Sequence, residues 1–331
     1  MTKDKDTVSK FKAIGLLSEQ NHNLGFVSTG SYALNKIISG DYSKGIPIGM
    51  ITQFLGESST AKTVFLTHIL REAQKVGYHT ILIDSENTYN SDFARTLGID
   101  PGKLLYSAPD TLEDCFQAIH ETILAIRETD PTTPIVVGYD SLAVSPTRAE
   151  IESDDYTNNN MEGAIRAKIT GSCLRSINPL LRKHKVALVI INQIRNKVGV
   201  MYGSPDTPAA GGKSLEYYIG VNLKCISNKT SDLLLNDEKE VIGIQGRVKN
   251  VKNKISIPFK ECEFELLFDT GLNNLAGLVK YLEAEAIIAR AGAWYSVVKT
   301  GLKFQAKDFA NLVRDLGNEG MEPVQTILGL R

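Results

Sequence analysis

Cysteine and histidine are scarce in this chain of 331 residues, which has four cysteines and five histidines. The cysteines stand far apart, at Cys115, Cys173, Cys225 and Cys262, and no two of them form a C-x-x-C pair. This spacing excludes a disulfide framework and a cysteine-based zinc site. It is typical of buried thiols in a reducing compartment.

An excess of charge and long apolar runs are also missing. Lysine and arginine total 37 against 38 acidic residues, a formal net charge of −1, so a nucleic-acid site would have to be a local patch. The longest continuous apolar run, residues 186–191, is far too short to span a bilayer. The N-terminus is polar and lacks the features of a signal peptide. We therefore expect a soluble cytoplasmic protein with no membrane partner.

Short apolar runs alternate with helical patterns over the first two thirds of the chain. Continuous apolar runs predict buried strands at residues 48–55, 80–84, 135–140 and 186–191. Apolar residues at helical spacing predict helices at 62–75 and 111–127, the second capped by Asp110. This order predicts an α/β fold with a largely parallel central sheet.

After residue 191 the pattern changes. Residues 194–214 hold four glycines and two prolines without periodicity, which predicts a long functional loop. Strands are predicted at 221–226, 243–251 and 263–268, and helices at 275–288 and 306–316. We expect three parts: an N-terminal arm (1–30), a core (31–270) and a small α+β C-terminal domain (271–331).

The strongest local motif is a candidate phosphate loop between a predicted strand and a predicted helix, the context such a loop requires. Its residues are Gly56, Glu57, Ser58, Ser59, Thr60, Ala61, Lys62 and Thr63. Loop N–H groups and the helix N-terminus would hold phosphates, Lys62 would reach the β- and γ-phosphate oxygens, and Thr63 would hold magnesium. Ala61 replaces the second glycine of G-x-x-x-x-G-K-[ST]. We expect alanine to adopt helical dihedrals there, so that its cost is a methyl group crowding the phosphate or the adjacent strand.

Two acidic residues follow predicted buried strands. Asp140 is placed to hold magnesium, and Glu86 to orient and deprotonate an attacking water. An acid at a strand end is often only a capping or solvated group. However, open α/β sheets bind ligands at the carboxyl ends of their strands, and the phosphate loop precedes both residues. We therefore assign both acids to a nucleotide site.

Several further motifs closely resemble the RecA family of DNA recombinases. The decisive segment is Ile-Asn-Gln-Ile-Arg-Asn-Lys-Val-Gly-Val-Met-Tyr-Gly at residues 191–203. Further matches are Glu57-Ser58-Ser59, Ile83-Asp84-Ser85-Glu86, Gly211-Gly212, Arg247-Val248-Lys249, Lys252-Asn253-Lys254-Ile255, Pro258-Phe259-Lys260 and Ala291-Gly292-Ala293-Trp294-Tyr295-Ser296. The resemblance extends from about residue 30 over nearly the whole chain, and the divergent phosphate loop suggests a phage-encoded member.

The resemblance implies a RecA-type P-loop NTPase that binds ATP and Mg²⁺ and forms helical filaments on single-stranded DNA. It would catalyse homologous pairing and strand exchange with duplex DNA, with mediator and single-strand-binding proteins as further partners. Lys62, Thr63, Glu86 and Asp140 match the family's nucleotide residues, and Gln193 matches the switch that senses the terminal phosphate.

The resemblance implies two more groups of nucleotide contacts. Lys252 and Lys254 match a pair that reaches into the neighbouring subunit's nucleotide. Phe93 and Asn90 stand where the family has a tyrosine and an aspartate against adenine, so Phe93 keeps a stacking face and Asn90 loses the charge.

DNA binding is expected from two loops. The first spans residues 151–163 and is followed by Arg166, Lys168 and Arg175, which could meet phosphates. The second spans 194–210 and offers Arg195 and Lys197 for phosphates and Val198 as an apolar wedge. Basic residues of this kind are otherwise typical of a solvated helix face, and only the match around Gln193 favours DNA contacts.

Two other functions compete with recombination. A hexameric replicative helicase would share the phosphate loop, Glu86 and Asp140, but not the segment after Gln193 or Lys252-Asn253-Lys254. A regulator that binds ATP without hydrolysing it is favoured only by Ala61, while Lys62, Glu86 and Gln193 argue against it.

Overall fold

The computed structural model describes residues 24–152, 159–194, 212–227, 232–305 and 307–309. Most of the predicted N-terminal arm, most of the second DNA loop with Arg195, Lys197 and Val198, and nearly all of the predicted helix 306–316 lie outside these ranges.

A ten-stranded sheet dominates the described part of the chain. Its strands are β3 Ile51–Gly56, β4 His79–Asp84, β5 Leu104–Ser107, β6 Ile135–Asp140, β7 Val186–Gln193, β8 Ile219–Ile226, β9 Leu233–Leu235, β10 Val241–Asn253, β11 Glu261–Leu267 and β12 Gly271–Leu272. Their order in the sheet is β12-β11-β10-β8-β3-β7-β6-β4-β5, with β9 paired to β10. The six neighbouring strands β8, β3, β7, β6, β4 and β5 run parallel, and the remaining four add antiparallel pairs beyond β8.

Helices cover both faces of this sheet, as the continuous apolar strands require. Residues next to each other in a strand enter opposite cores: Val136 packs with Phe54 and Phe65 on one face, and Val137 packs with Leu188 on the other. The described helices are α1 Tyr32–Ser39, α2 Lys62–Lys75, α3 Ser91–Thr96, α4 Leu112–Thr129, α5 Arg148–Glu152, α6 Asn159–Lys183, α7 Gly212–Tyr218 and α8 Asn274–Ala284, with a 3-10 turn at Pro101–Lys103.

Two smaller sheets complete the described fold. Near the N-terminus, β1 Phe26–Val27 pairs with β2 Ile46–Pro47. At the other end, β13 Ile288–Ala291, β14 Trp294–Val297 and β15 Lys303–Gln305 form an antiparallel sheet. The buried residues of this sheet and of α8 belong to the same apolar cluster as one face of the large sheet.

The α/β class with a large parallel sheet is confirmed, as are most elements. Helix α2 and strand β6 have the predicted bounds, and β10 extends the predicted 243–251 at both ends. Two predictions were wrong. Thr111, not Asp110, caps α4, because its side chain accepts the Asp114 N–H. The predicted helix 275–288 ends at Ala284, because Ile288 begins β13.

The four thiols are free, and three of them are buried. Within the described ranges, no helix combines the length and apolar character that crossing a membrane requires.

Candidate nucleotide-binding site

The carboxyl ends of four parallel strands bring the candidate residues together. Strand β3 leads into the phosphate loop, residues 56–63, and its neighbour β7 ends at Gln193, which pairs in register with Gly56. Strands β4 and β6 end side by side, with Asp84 paired to Asp140. The strand register therefore places the carboxyl ends of β3, β4, β6 and β7 together at the same end of the sheet.

The backbone of the phosphate loop closes tightly over β8. A Cβ on Gly56 would lie 2.6 Å from the Cys225 carbonyl oxygen and 2.8 Å from Thr60 Oγ1, so only glycine fits there. Lys62 is buried and donates to the Glu57 carbonyl oxygen and, at 3.4 Å, to Thr60 Oγ1. The loop thus has an ammonium group at its centre, where phosphate oxygens would compete with its own carbonyl.

Ala61 does not have the helical dihedrals that we expected. It is the N-cap of α2 with φ 66° and ψ 12°, in the left-handed region, and Ser59 has φ 64°. A left-handed conformation costs a non-glycine residue about 1–2 kcal/mol, because Cβ approaches the following carbonyl oxygen. The glycine of the consensus motif avoids that strain, so the cost of Ala61 lies in the backbone as well as in its methyl group.

Thr63 and Asp140 form the candidate magnesium site. Thr63 Oγ1 donates to Asp140 Oδ2 at 2.7 Å, and Asp140 is only 8% exposed. Burial and the nearby Glu86 and Asp84 carboxylates raise the pKa of Asp140 to about 6, against the opposing effect of the Thr63 hydrogen bond. A buried carboxylate beside a hydroxyl supplies the oxygen ligands that Mg²⁺ prefers. Thr63 and Asp140 therefore fit the ion. The described residues contain no cluster of three or more His, Cys, Asp or Glu that could hold a metal by itself.

Glu86 is held by two hydrogen bonds from neighbouring strand ends. Its Oε1 accepts from Ser141 Oγ at 2.7 Å and from Gln193 Nε2 at 3.1 Å. The candidate water-activating carboxylate and the candidate switch are thus in direct contact. Reasoning from the sequence missed Ser141, although its position immediately after Asp140 at a strand end was a usable signal.

The turn that carries Glu86 wraps around the Asp84 carboxylate. Asp84 is 2% exposed and accepts the backbone N–H groups of four successive residues, 86 to 89, at 2.9 to 3.1 Å. Tyr106 Oη adds a fifth donor at 3.0 Å. Asp84 was not predicted to have a role of its own, although an aspartate at the end of a strand, ahead of a turn, is a common acceptor of turn N–H groups.

A cavity of about 390 Å³ opens where these elements meet. Its lining combines polar residues of the phosphate loop with apolar residues of β10, β11 and α3. The lining residues are Ser58, Ser59, Thr60, Ala61, Lys62, Thr63, Val64, Glu86, Phe93, Asp140, Ile191, Gln193, Ile244, Leu266 and Phe268.

The two residues predicted to lie against adenine differ in position. Phe93 lines the cavity and is 40% exposed, so its ring face is available for stacking. Asn90 is the N-cap of α3: its Oδ1 accepts the N–H groups of Asp92 and Phe93, and its side chain lines a smaller adjacent cavity of about 110 Å³. Asn90 therefore positions Phe93, and its contact with adenine stays a prediction.

Lys252 and Lys254 lie away from this cavity. Lys252 pairs with Asn222 in β8, and the Lys254 N–H donates to the Gly220 carbonyl oxygen, towards the amino end of that strand. Their ammonium groups donate to the carbonyl oxygens of Glu216 and Tyr217 at the end of α7. The register thus places both lysines towards the amino end of β8, whereas Gly56 lies beside Cys225 near the carboxyl end of that strand.

The described candidates for DNA contacts also differ. Arg166 donates to the main-chain carbonyls of Leu142, Ala143 and Ser145, so it braces the segment after β6. Lys168 and Arg175 are exposed on α6. The geometry favours a structural role for Arg166 and leaves two accessible cations.

Comparison with known proteins adds an independent result. The sequence model of the RecA N-terminal domain matches residues 4–273. Protein RecA of Symbiobacterium thermophilum is 36% identical over 277 residues, which cover 83% of this chain and 74% of the relative. Protein RecA of Anaplasma marginale is 35% identical over 91% of this chain and 80% of the relative, and that of Streptomyces coelicolor is 33% identical over 94% and 79%.

The family match spans the phosphate loop, the strand ends that carry Glu86, Asp140 and Gln193, and the segment with Lys252 and Lys254. The comparisons therefore agree with the parallel sheet and the motifs at its carboxyl edge. This chain belongs to the RecA family of DNA recombination and strand-exchange proteins.

Proposed function

We propose that the cavity binds ATP with Mg²⁺ and that the chain couples DNA-dependent ATP hydrolysis to strand exchange. The observation that carries the proposal is the contact between Glu86 and Gln193 at the mouth of the phosphate loop. It joins the residue suited to activating water to the residue from which the second DNA loop continues. A regulator that only bound ATP would not need this contact.

The phosphate loop would hold the triphosphate. Its N–H groups and the start of α2 favour negative charge, and Lys62 would exchange the Glu57 carbonyl for β- and γ-phosphate oxygens. Thr63 and Asp140 would hold Mg²⁺, which neutralises charge on the phosphates when it is bound. Phe93 and the apolar residues of β10 and β11 would contact the base.

Glu86 would act on the attacking water. Its carboxylate accepts hydrogen bonds from Ser141 and Gln193, which fix its direction and leave its second oxygen, Oε2, for the water. Accepting a proton from that water makes the water a better nucleophile towards the γ-phosphate. Since Gln193 ends β7, a shift of the loop that follows would change the support of Glu86, and this is how DNA would control hydrolysis.

The active unit would be an open helical filament on single-stranded DNA. Lys252 and Lys254 lie far from the phosphate loop of their own subunit, which favours a role at the nucleotide of a neighbour. A head-to-tail interface that does not close produces a filament, whereas a closed one produces a helicase-like ring. Exposed Lys168 and Arg175, together with Arg195, Lys197 and Val198, would contact DNA.

Other parts of the proposal rest on the sequence pattern and on the family. We propose a division into an oligomerisation arm (1–30), an ATPase and DNA-binding core (31–270) and a small C-terminal domain (271–331), a cytoplasmic location, and mediator and single-strand-binding proteins as partners.

The test measures ATP hydrolysis with and without single-stranded DNA, and images the protein with single-stranded DNA and a non-hydrolysable ATP analogue. We expect strong stimulation by DNA and extended helical filaments. Equal rates with and without DNA, or closed rings, would contradict the proposal.

A further inference from the structure

Tyr106 connects the edge of the large sheet to the turn that carries Glu86. It lies on β5, the last of the parallel strands, and pairs in register with Leu82 of β4. Because alternate residues of a strand share a face, Asp84 lies on the same face as Leu82, diagonally across from Tyr106. The Tyr106 ring spans that diagonal, and its Oη donates to Asp84 Oδ2 at 3.0 Å.

The bonds to Asp84 divide the turn into two halves. Oδ1 accepts the N–H groups of Glu86 and Asn87, and Oδ2 accepts those of Thr88 and Tyr89. The orientation of the carboxylate plane therefore sets the position of each half. Rotation about the last torsion of an aspartate is only weakly restricted by the side chain itself, so an external donor is needed to fix it.

Tyr106 is that external donor. Among the hydrogen bonds that the described residues donate to Asp84, only that of the Tyr106 hydroxyl comes from outside residues 86–89. A hydrogen bond to a carboxylate is stronger than one between neutral groups, and this one acts on a carboxylate that is 2% exposed. The turn also needs support, because Asn87 has φ 56°, a left-handed conformation.

We propose that Tyr106 is a positioning residue for ATP hydrolysis: by orienting the Asp84 carboxylate, it holds the turn in the shape that aims Glu86 at the nucleotide. Tyr106 does not line the 390 Å³ cavity, so its effect reaches the reaction only through the turn. The inference rests on the proposed role of Glu86 and adds the element that fixes its position.

Tyr106→Phe is the direct test, because it keeps the ring and removes only the hydroxyl. With saturating single-stranded DNA, we expect kcat for ATP hydrolysis to fall about ten-fold, while KM for ATP and the melting temperature stay close to wild type. Tyr89→Phe is the matched control. It removes a tyrosine hydroxyl from the same turn, and among the described residues no hydrogen bond joins that hydroxyl to Asp84.

A double-mutant cycle with Asp84→Asn tests the route of the effect. If Tyr106 acts through Asp84, the loss of kcat in the double variant should be smaller than the product of the two single losses. An unchanged kcat in Tyr106→Phe, a rise in KM alone, an equal loss in Tyr89→Phe, or fully multiplicative losses would each overturn the proposal.

Glu86→Gln in the same series separates this inference from the proposed function. If Glu86→Gln hydrolyses ATP at the wild-type rate, the assignment of Glu86 fails and the role of Tyr106 fails with it. If Glu86→Gln is inactive and Tyr106→Phe equals wild type, the proposed function stands and only the role of Tyr106 is wrong.

Discussion

Replacing Lys252 and Lys254 with alanine should abolish DNA-dependent ATP hydrolysis without emptying the nucleotide site. The site of the same subunit is built from Lys62 and the phosphate loop, which these lysines do not touch. In the strand register, Gly56 lies beside Cys225, and Lys252 lies beside Asn222. That separation is three residues, or about 10 Å along β8, and Lys254 lies farther still.

Mixing this double variant with Glu86→Gln gives a quantitative test. If the lysines act in trans, an active interface needs Glu86 from one subunit and both lysines from its neighbour. Random assembly of equal amounts makes about a quarter of the interfaces intact, so roughly a quarter of the wild-type rate should return. If the lysines acted in cis, every subunit would lack one component and the mixture would stay inactive.

A second mixture tests the same assignment through a loss of wild-type activity, so that it does not rely on two inactive variants restoring each other. A chain that carries all three substitutions, mixed equally with wild type, should keep about a quarter of the rate in trans and about half in cis. Lys249→Ala, on the same strand, is the control for a general effect of lost charge on β10. A complementation mixture that stays inactive while light scattering shows co-assembly would refute the trans assignment.

Four further predictions concern the site and helix α2, which begins at it. Glu86→Gln should abolish hydrolysis and retain ATP binding by calorimetry; hydrolysis at the wild-type rate would remove Glu86 from its role. Gln193→Ala should bind ATP and DNA separately but lose most of the DNA stimulation in a steady-state assay. Ala61→Gly should bind ATP more tightly and keep its free energy of unfolding within about 1 kcal/mol of wild type, because relief of left-handed strain offsets the lost burial of the methyl group. Gly77→Ala is the control: at φ 77° with open space around it, the added methyl group should lower the free energy of unfolding by about 1 kcal/mol. Burial and the nearby Arg71 and Lys75 lower the pKa of His68 to about 3, so the folded state rejects a proton that the unfolded chain accepts below about pH 6.5. Because of His68, the free energy of unfolding should decrease by about 2 kcal/mol when the pH is lowered from 7.5 to 5. In urea unfolding, His68→Gln should lack this contribution, so that its free energy of unfolding decreases by about 2 kcal/mol less over the same range.

The sequence predicted the elements whose patterns are set locally. Helix α2 runs from Lys62 to Lys75 as expected, since a phosphate loop before it and amphipathic spacing within it both mark a helix. Strand β6 also matched, because a continuous apolar run of that length has few alternatives in a covered parallel sheet. The convergence of Glu86 and Asp140 followed from the same reasoning, since parallel strands place their carboxyl ends together.

Other features depend on groups distant in sequence and could not be predicted. Ala61 has a left-handed φ at the start of α2, whereas alanine alone would favour a helical dihedral. Arg166 was predicted to contact DNA, and that stays a prediction; its bonds to three carbonyls of the segment after β6 could not be predicted from the sequence. Tyr106 showed no signal at all, because its bond to Asp84 depends on the pairing of β5 with β4.

The lysines show most clearly why register matters for function. In the sequence, Lys252 and Lys254 are two basic residues near the end of a strand, and nothing local indicates which nucleotide they would serve. Because β10 pairs antiparallel with β8 and β8 pairs parallel with β3, the register gives the distance between these lysines and Gly56. If Glu86 activates water and the two lysines neutralise the γ-phosphate, all three must act on the same bond, and this distance then favours lysines from a second subunit. On this reasoning, a monomer would bind ATP but lack the means to hydrolyse it rapidly, and hydrolysis would report assembly on DNA.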